Sequence, residues 1–321
     1  MAKNLMTGNE AVARGLYEAG VAFASAYPGT PSTEILENVS EKYKDSIACE
    51  WAPNEKVACE TAIGASIGGA RSFCAMKHVG LNVAADPLFT VAYSGVNGGL
   101  VIGVADDPGM HSSQNEQDSR HYAIASKVAM VEPSDSGECK EFTKMAYELS
   151  EKFDTPVILR LSTRVSHSQS VVEECERVPH DIGKYEKNIG KYVMMPANAI
   201  KRHVVVEERL KKLTEYAEDC PFNTVEMNSD EIGVITSGIA YEYAKEAHLY
   251  IGFTVMIPDI GCHGNVHGKN DKQNYRNYYD PDHISGSSSE TSASSGTRPG
   301  SGGRSSRLSK PKHRRNTGVV L

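Results

Sequence analysis

Three polar loops interrupt an otherwise apolar run of short segments, and each carries side chains that can do chemistry: Tyr27 to Thr33, Glu50 to Glu55, and Ala105 to Tyr122. Glu55 is the foremost candidate. It follows Glu50-Trp51-Ala52-Pro53-Asn54, where a strand gives way to a helix, so its carboxylate faces a crevice rather than the core. A carboxyl so placed can hold or pass a proton, and it does this best at neutral pH when apolar surroundings raise its pKa. Trp51, Ala52, Val57 and Ala58 are its apolar neighbours in sequence. A purely structural role is also open, because an acid in the first turn of a helix complements the macrodipole.

Thr30 lies between Gly29 and Pro31, either as a turn residue at the start of a helix or as a hydroxyl presented to a ligand. Lys77-His78-Val79-Gly80 closes a strand, and a lone histidine there is an acid, a base or a hydrogen-bonded structural residue. The run Ser112 to Arg120 is amide-rich and of mixed charge, which suits either a solvated loop or specific contacts to another subunit or domain through Gln114, Asn115, Glu116, Asp118 and Arg120. Cys262, His263 and His267 imitate a metal cluster, but interrupting glycines argue against one, and no metal site is expected. The seven cysteines are scattered without a Cys-x-x-Cys pair, so they read as small buried hydrophobes, with neither a disulfide framework nor cluster ligands.

The elements that must hold these loops are legible from punctuation and periodicity. Thr7 and Glu10 form the capping box of an opening helix that Gly20 stops. Apolar strands are then expected at Val21 to Ala26, Ile47 to Glu50, Arg71 to Met76, Leu100 to Ala105, Val128 to Val131 and Pro156 to Leu161. Helices alternate with them at Ser32 to Lys44, Asn54 to Gly68, Asn82 to Ala92 and Asp135 to Phe153. Such alternation predicts an α/β fold, a doubly wound and mostly parallel sheet whose ligand crevice lies beyond the carboxyl ends of the strands.

Composition narrows the function. A net charge of −7 over 321 residues, with basic residues concentrated only in the tail, argues against nucleic acid as partner. No apolar stretch approaches the roughly 18 to 20 residues that span a bilayer, and Met1 to Thr7 has no secretory signal core, so no membrane partner and a cytoplasmic location are expected. No Gly-x-Gly-x-x-Gly or Gly-x-x-x-x-Gly-Lys occurs, which weakens a nucleotide-binding reading.

Four blocks in the right order, Tyr27-Pro28-Gly29-Thr30-Pro31-Ser32-Thr33-Glu34, Glu50 to Ala58, Lys77-His78-Val79-Gly80 and Ser113 to Arg120, resemble the alpha subunit of the indolepyruvate ferredoxin oxidoreductases. The resemblance covers Met1 to about Val178 and resumes weakly at Glu231 to Ala247. It implies the pyrimidine-binding domain of an enzyme that oxidises aryl 2-oxoacids to aryl-acetyl-CoA with thiamine diphosphate, coenzyme A, ferredoxin and a beta subunit. It further implies that Glu55 bonds N1′ of the aminopyrimidine as the catalytic carboxylate and that Thr30 points at the substrate. Pro28, Gly29, Lys77 and His78 would line the cofactor. The Asp106-Asp107-Pro108-Gly109 turn stands where pyruvate-using relatives present an arginine, in keeping with a bulkier aryl substrate.

By the same resemblance, magnesium and 4Fe-4S clusters belong to the complete enzyme and are not expected to be ligated here, since the chain has no Gly-Asp-Gly sequence and no cysteine-rich motif. The expected organisation is a pyrimidine-binding domain at 1–178, a linker with a charged helix at 179–230, an incomplete second α/β domain at 231–284 and a disordered tail at 285–321. Loss of resemblance near Ala247 reads as a frameshift or as a short subunit completed by a partner, and either predicts an isolated chain without activity. A catalytically empty scaffold of the same fold is the alternative, against which a crevice carboxylate argues.

Overall fold

Every strand–helix step expected between 20 and 162 is present in the computed structural model, which describes residues 2–226, 233–251, 254–257 and 260–261. In order these are β1 (Lys3–Thr7), α1 (Gly8–Glu18), β2 (Phe23–Ala26), α2 (Thr33–Lys42), β3 (Ala48–Trp51), α3 (Glu55–Ile67), β4 (Ser72–Lys77), α4 (His78–Val83), α5 (Ala85–Ser94) and β5 (Leu100–Asp106). There follow α6 (Arg120–Ser126), β6 (Ala129–Val131), α7 (Ser136–Phe153), β7 (Val157–Ser162), α8 (Thr163–His167), β8 (Gln169–Glu173), α9 (Ile189–Tyr192) and α10 (Pro196–Glu218). The rest are β9 (Thr224–Glu226), β10 (Gly233–Ile235), α11 (Ile239–Ile251), β11 (Thr254–Ile257) and β12 (Ile260–Gly261).

The main sheet runs β12-β6-β7-β5-β4-β2-β3, and its pairings from β6 to β3 are all parallel, with β12 antiparallel on β6. Its central strands β4, β5 and β7 are apolar and buried almost throughout, as strands covered on both faces must be. One apolar layer joins α1, α2 and α7 to the sheet through Leu16, Ile35, Leu36, Phe142 and Tyr147. The opposite layer is built from α3, α4, α5 and α6 through Ala58, Ala62, Leu81, Leu88 and Ala123. Gly15 lets α1 and α7 touch, since a Cβ there would stand 2.7 Å from the Lys140 carbonyl oxygen.

This two-sided winding fixes the crevice. Chain leaving β2 passes to the α2 layer, whereas chain leaving its neighbour β4 passes to the α4–α5 layer, so the two loops part at the carboxyl end of adjacent strands. The capping box at Thr7 and Glu10 starts α1 as expected. Several features were not anticipated from the sequence, among them the short helices α8 and α9. β1 and β8 form a separate antiparallel ribbon, and the loop after β5 contains the short helix α6.

Residues 179–218 are fastened to the first core. Arg202 donates to the Tyr93 carbonyl at 2.6 Å and pairs with Asp154 at 3.2 Å, while Leu213 lies in the α1–α7 layer. Arg209 is buried, which pulls its guanidinium down to about 10, and it donates to the Asp154 carbonyl at 2.8 Å. Further on, β10, β11 and β9 form a small mixed sheet beside α11, at the strand and helix expected near Ile232 and Ile239. The tail 285–321 and the Cys262, His263 and His267 cluster lie outside the described residues. No helix among the described residues is long and apolar enough to cross a membrane.

Candidate active site

Register places the three loops side by side. Ala26 at the end of β2 pairs with Trp51 of β3 and Ala75 of β4, and Lys77 at the end of β4 pairs with Ala105 of β5. Glu55 opens α3, where Asn54 caps the helix by accepting the Val57 N–H at 3.0 Å. This cap fixes the backbone from which Glu55 projects. Its half-buried side chain lies against Gly80 in α4, so closely that a Cβ at Gly80 would stand 2.6 Å from Oε1.

The other half of the crevice is a linked set. Gly29 donates its N–H to Thr33 Oγ1 at 2.8 Å and receives the Ser32 hydroxyl on its carbonyl at 2.8 Å, which closes the turn after β2. The Lys77 stem lies under Gly29, where a Cβ would meet Cδ at 3.0 Å. Lys77 Nζ donates to the Ser112 carbonyl at 3.1 Å, and Ser112 Oγ donates to the Thr30 carbonyl at 3.2 Å. Pro28 and Thr30 are exposed at the rim. Buried Asn9 supports the turn from below by donating to the Pro31 carbonyl at 2.8 Å.

His78 is buried at the first position of α4, with Nε2 at 3.0 Å from the Asn115 carbonyl. Because a carbonyl only accepts, Nε2 carries the hydrogen of this bond, and the buried Nδ1 has no partner among the described residues. The 107–120 loop therefore reaches the crevice at Ser112 and Asn115. Asp107 anchors it by accepting from the Ser112 N–H at 2.8 Å and the Thr163 hydroxyl at 2.7 Å. Burial works against the Asp107 charge, but these hydrogen bonds outweigh it and hold the carboxyl well below the usual carboxylate range.

Much of the polar run that reads as contact surface is used within the chain. Glu116 accepts the Gly109 N–H at 2.7 Å, Asn115 Oδ1 accepts from Gln117 at 2.8 Å, and Asp118 pairs with Arg120 at 2.9 Å. Gln114 is exposed. Lys56, beside Glu55, pairs with Asp86 at 2.8 Å. Cys59 of α3 and Cys74 of β4 are buried free thiols, and burial drives the Cys74 thiol well up. The apolar pocket expected around Glu55 is only half supplied by this chain: Ala52 and Ala58 are buried in the core, but Trp51 and Val57 are exposed at 43% and 36%.

Residues 14–226 match the family model of the thiamine diphosphate-binding domain of pyruvate flavodoxin/ferredoxin oxidoreductases. This chain belongs to that oxidoreductase family. It is 45% identical over 252 residues to the indolepyruvate oxidoreductase subunit IorA of Archaeoglobus fulgidus, covering 76% of this chain and 40% of that protein. The corresponding IorA of Thermococcus kodakarensis is 46% identical over 256 residues, with 77% and 40% covered. The chain thus spans about 40% of the length of these curated relatives. Among solved structures, a 2-oxoglutarate:ferredoxin oxidoreductase from Magnetococcus marinus with 2-oxoglutarate, coenzyme A and succinyl-CoA bound shares the fold, at a TM-score of 0.68 and 21% identity over 82% of this chain and 55% of that one.

Ser112 and Gly80 are the site residues that reasoning from sequence alone did not single out. Their signal was present only as position: Ser112 directly precedes the Ser113 to Arg120 block, and Gly80 ends the Lys77-His78-Val79-Gly80 block.

Proposed function

We propose that this chain supplies the pyrimidine side of a thiamine diphosphate site in an indolepyruvate:ferredoxin oxidoreductase. In the complete enzyme, aryl 2-oxoacids would be decarboxylated, the acyl group passed to coenzyme A and the electrons to ferredoxin, with a beta subunit as partner. The observation that carries this reading is the carboxyl of Glu55 against the bare Cα of Gly80, in the crevice of a domain that belongs to a thiamine diphosphate-binding family. The residues present fit an aminopyrimidine. A carboxyl is available to an aromatic nitrogen, and the missing Cβ at Gly80 gives the wall beside it a close approach.

When bound, thiamine diphosphate supplies the electron sink for loss of carbon dioxide. Glu55 holds a proton at the ring nitrogen, and the Asn54 cap keeps its backbone in place for that task. Thr30, tied to Ser112, stands at the substrate side, and the loop anchored by Asp107 limits water there. The exposed Trp51 and Val57 give a second domain or subunit apolar surface to close on, and closure would complete a dry pocket around Glu55. Among the described residues no group of three or more His, Cys, Asp or Glu could hold a metal ion.

The test is coenzyme A-dependent ferredoxin reduction by the complete subunit assembled with its partner, with and without thiamine diphosphate. Indolepyruvate and phenylpyruvate should be oxidised in preference to pyruvate, and only with cofactor. Preference for pyruvate, or no 2-oxoacid oxidation, would overturn the reading.

A further inference from the structure

The crevice contains a cation whose charge nothing nearby answers. Lys77 Nζ spends one donor on the Ser112 carbonyl at 3.1 Å, and no ion pair among the described residues includes it. Lys56, Arg120 and Arg160, other cations at this end of the sheet, are matched by Asp86, Asp118 and Asp106. An ammonium has three donors, so Lys77 keeps two donors and its full charge.

Its position is also fixed. The stem is trapped under Gly29, with Cδ and Cγ at 3.0 and 3.2 Å from where a Cβ would stand, and the residue is half-buried. Ser112 ties the Lys77 head and the Thr30 carbonyl together, because its own carbonyl accepts from the one and its hydroxyl donates to the other. Lys77 and Glu55 come from adjoining loops yet do not pair with each other, so the crevice keeps a positive and a negative pole apart. A ligand with an anionic end would turn that end from Glu55 towards Lys77.

From this we propose that Lys77 Nζ binds the carboxylate of the 2-oxoacid beside Thr30, and so selects acids over neutral ketones. The proposal rests on the functional reading above and adds which atom grips the substrate. A lysine suits the task, since a single point charge holds the carboxylate without the two-point clamp of an arginine.

The experiment compares Lys77→Met and Lys77→Arg with the parent in the assembled enzyme. Two unreactive probes, indole-3-propanoate and its primary amide, compete with indolepyruvate. Lys77→Met should raise KM for indolepyruvate and weaken inhibition by the carboxylate, each about 10- to 100-fold, as loss of a charge-assisted hydrogen bond predicts. The amide should bind as before, and Lys77→Arg should recover part of the loss. Equal weakening of carboxylate and amide, or no change in either, would overturn the assignment of Lys77 while leaving an active parent enzyme. A parent that oxidises no aryl 2-oxoacid would instead overturn the functional reading itself.

Discussion

At the carboxyl ends of β5, β6 and β7, buried Arg160 meets Asp106 at 2.8 Å, bonds Glu132 directly and has Asp118 at 3.7 Å. At the same end of β2, β3 and β4, Lys77 and Glu55 stand in adjoining loops without meeting. Burial opposes the Arg160 charge, but Glu132, Asp106 and Asp118 outweigh it and raise the guanidinium above its ordinary value. Ser119 adds its N–H at 3.0 Å and its hydroxyl to Asp106, so the first cluster satisfies itself and holds the loop that follows β5. The second leaves its charges half-buried and open. One end of one sheet thus separates charges that answer one another from charges that have no ion-pair partner among the described residues.

Removing the centre of the closed cluster should have the largest effect. Arg160→Met leaves buried Asp106 and partly buried Glu132 without their cation, and denaturant unfolding should show a loss of about 3 to 5 kcal/mol. An unfolding free energy equal to that of the parent would place the cluster in solvent and erase the contrast.

Gly80→Ala sharpens the comparison from the other side. The new Cβ meets the flexible end of Glu55, which can swing away cheaply, so the unfolding midpoint should barely move. Turnover in the assembled enzyme should fall by roughly 10²-fold, the scale of a misplaced reacting group. A large stability loss with proportionate loss of turnover would make Gly80 a packing residue only.

The smallest effect joins the two regions. Asp107 carries the loop from the closed cluster to the crevice, and Asp107→Asn should cost about 1 to 2 kcal/mol at pH 7. Because the folded carboxyl titrates below its unfolded value, its contribution is complete above about pH 4 and is lost as pH falls through the folded value. The gap between parent and variant should therefore narrow on acidification. A gap that stayed constant from pH 7 to pH 3 would contradict the charge-based account.

These contrasts mark what the sequence could and could not carry. Strands β2 to β7 and their helices were legible because buried parallel strands are continuous apolar runs cut by Gly, Pro and Asn. The position of Glu55 was legible because Pro53-Asn54 announces a helix start. The β1–β8 ribbon was not, since Lys3–Thr7 is half exposed and its partner lies at the other end of the domain. Arg160 was hidden inside an apolar strand, and its partners come from three distant segments. The docking of α10 was hidden for a related reason, because its buried Arg209 reads as one more surface charge. Local pattern reveals elements and their ends, whereas charge pairing across strands appears only once the strands are ordered.

Glu55→Gln in the assembled enzyme tests the central claim most directly, with Glu60→Gln, an exposed acid on the same helix, as control. The substitution keeps size and removes the titrating proton. Indolepyruvate-dependent ferredoxin reduction should fall on the order of 10²-fold or more, the scale of general acid–base contributions, while the unfolding midpoint and the Glu60→Gln control stay near the parent. Turnover of Glu55→Gln at the parent rate would make Glu55 a helix-start acid and contradict its role as the catalytic carboxylate.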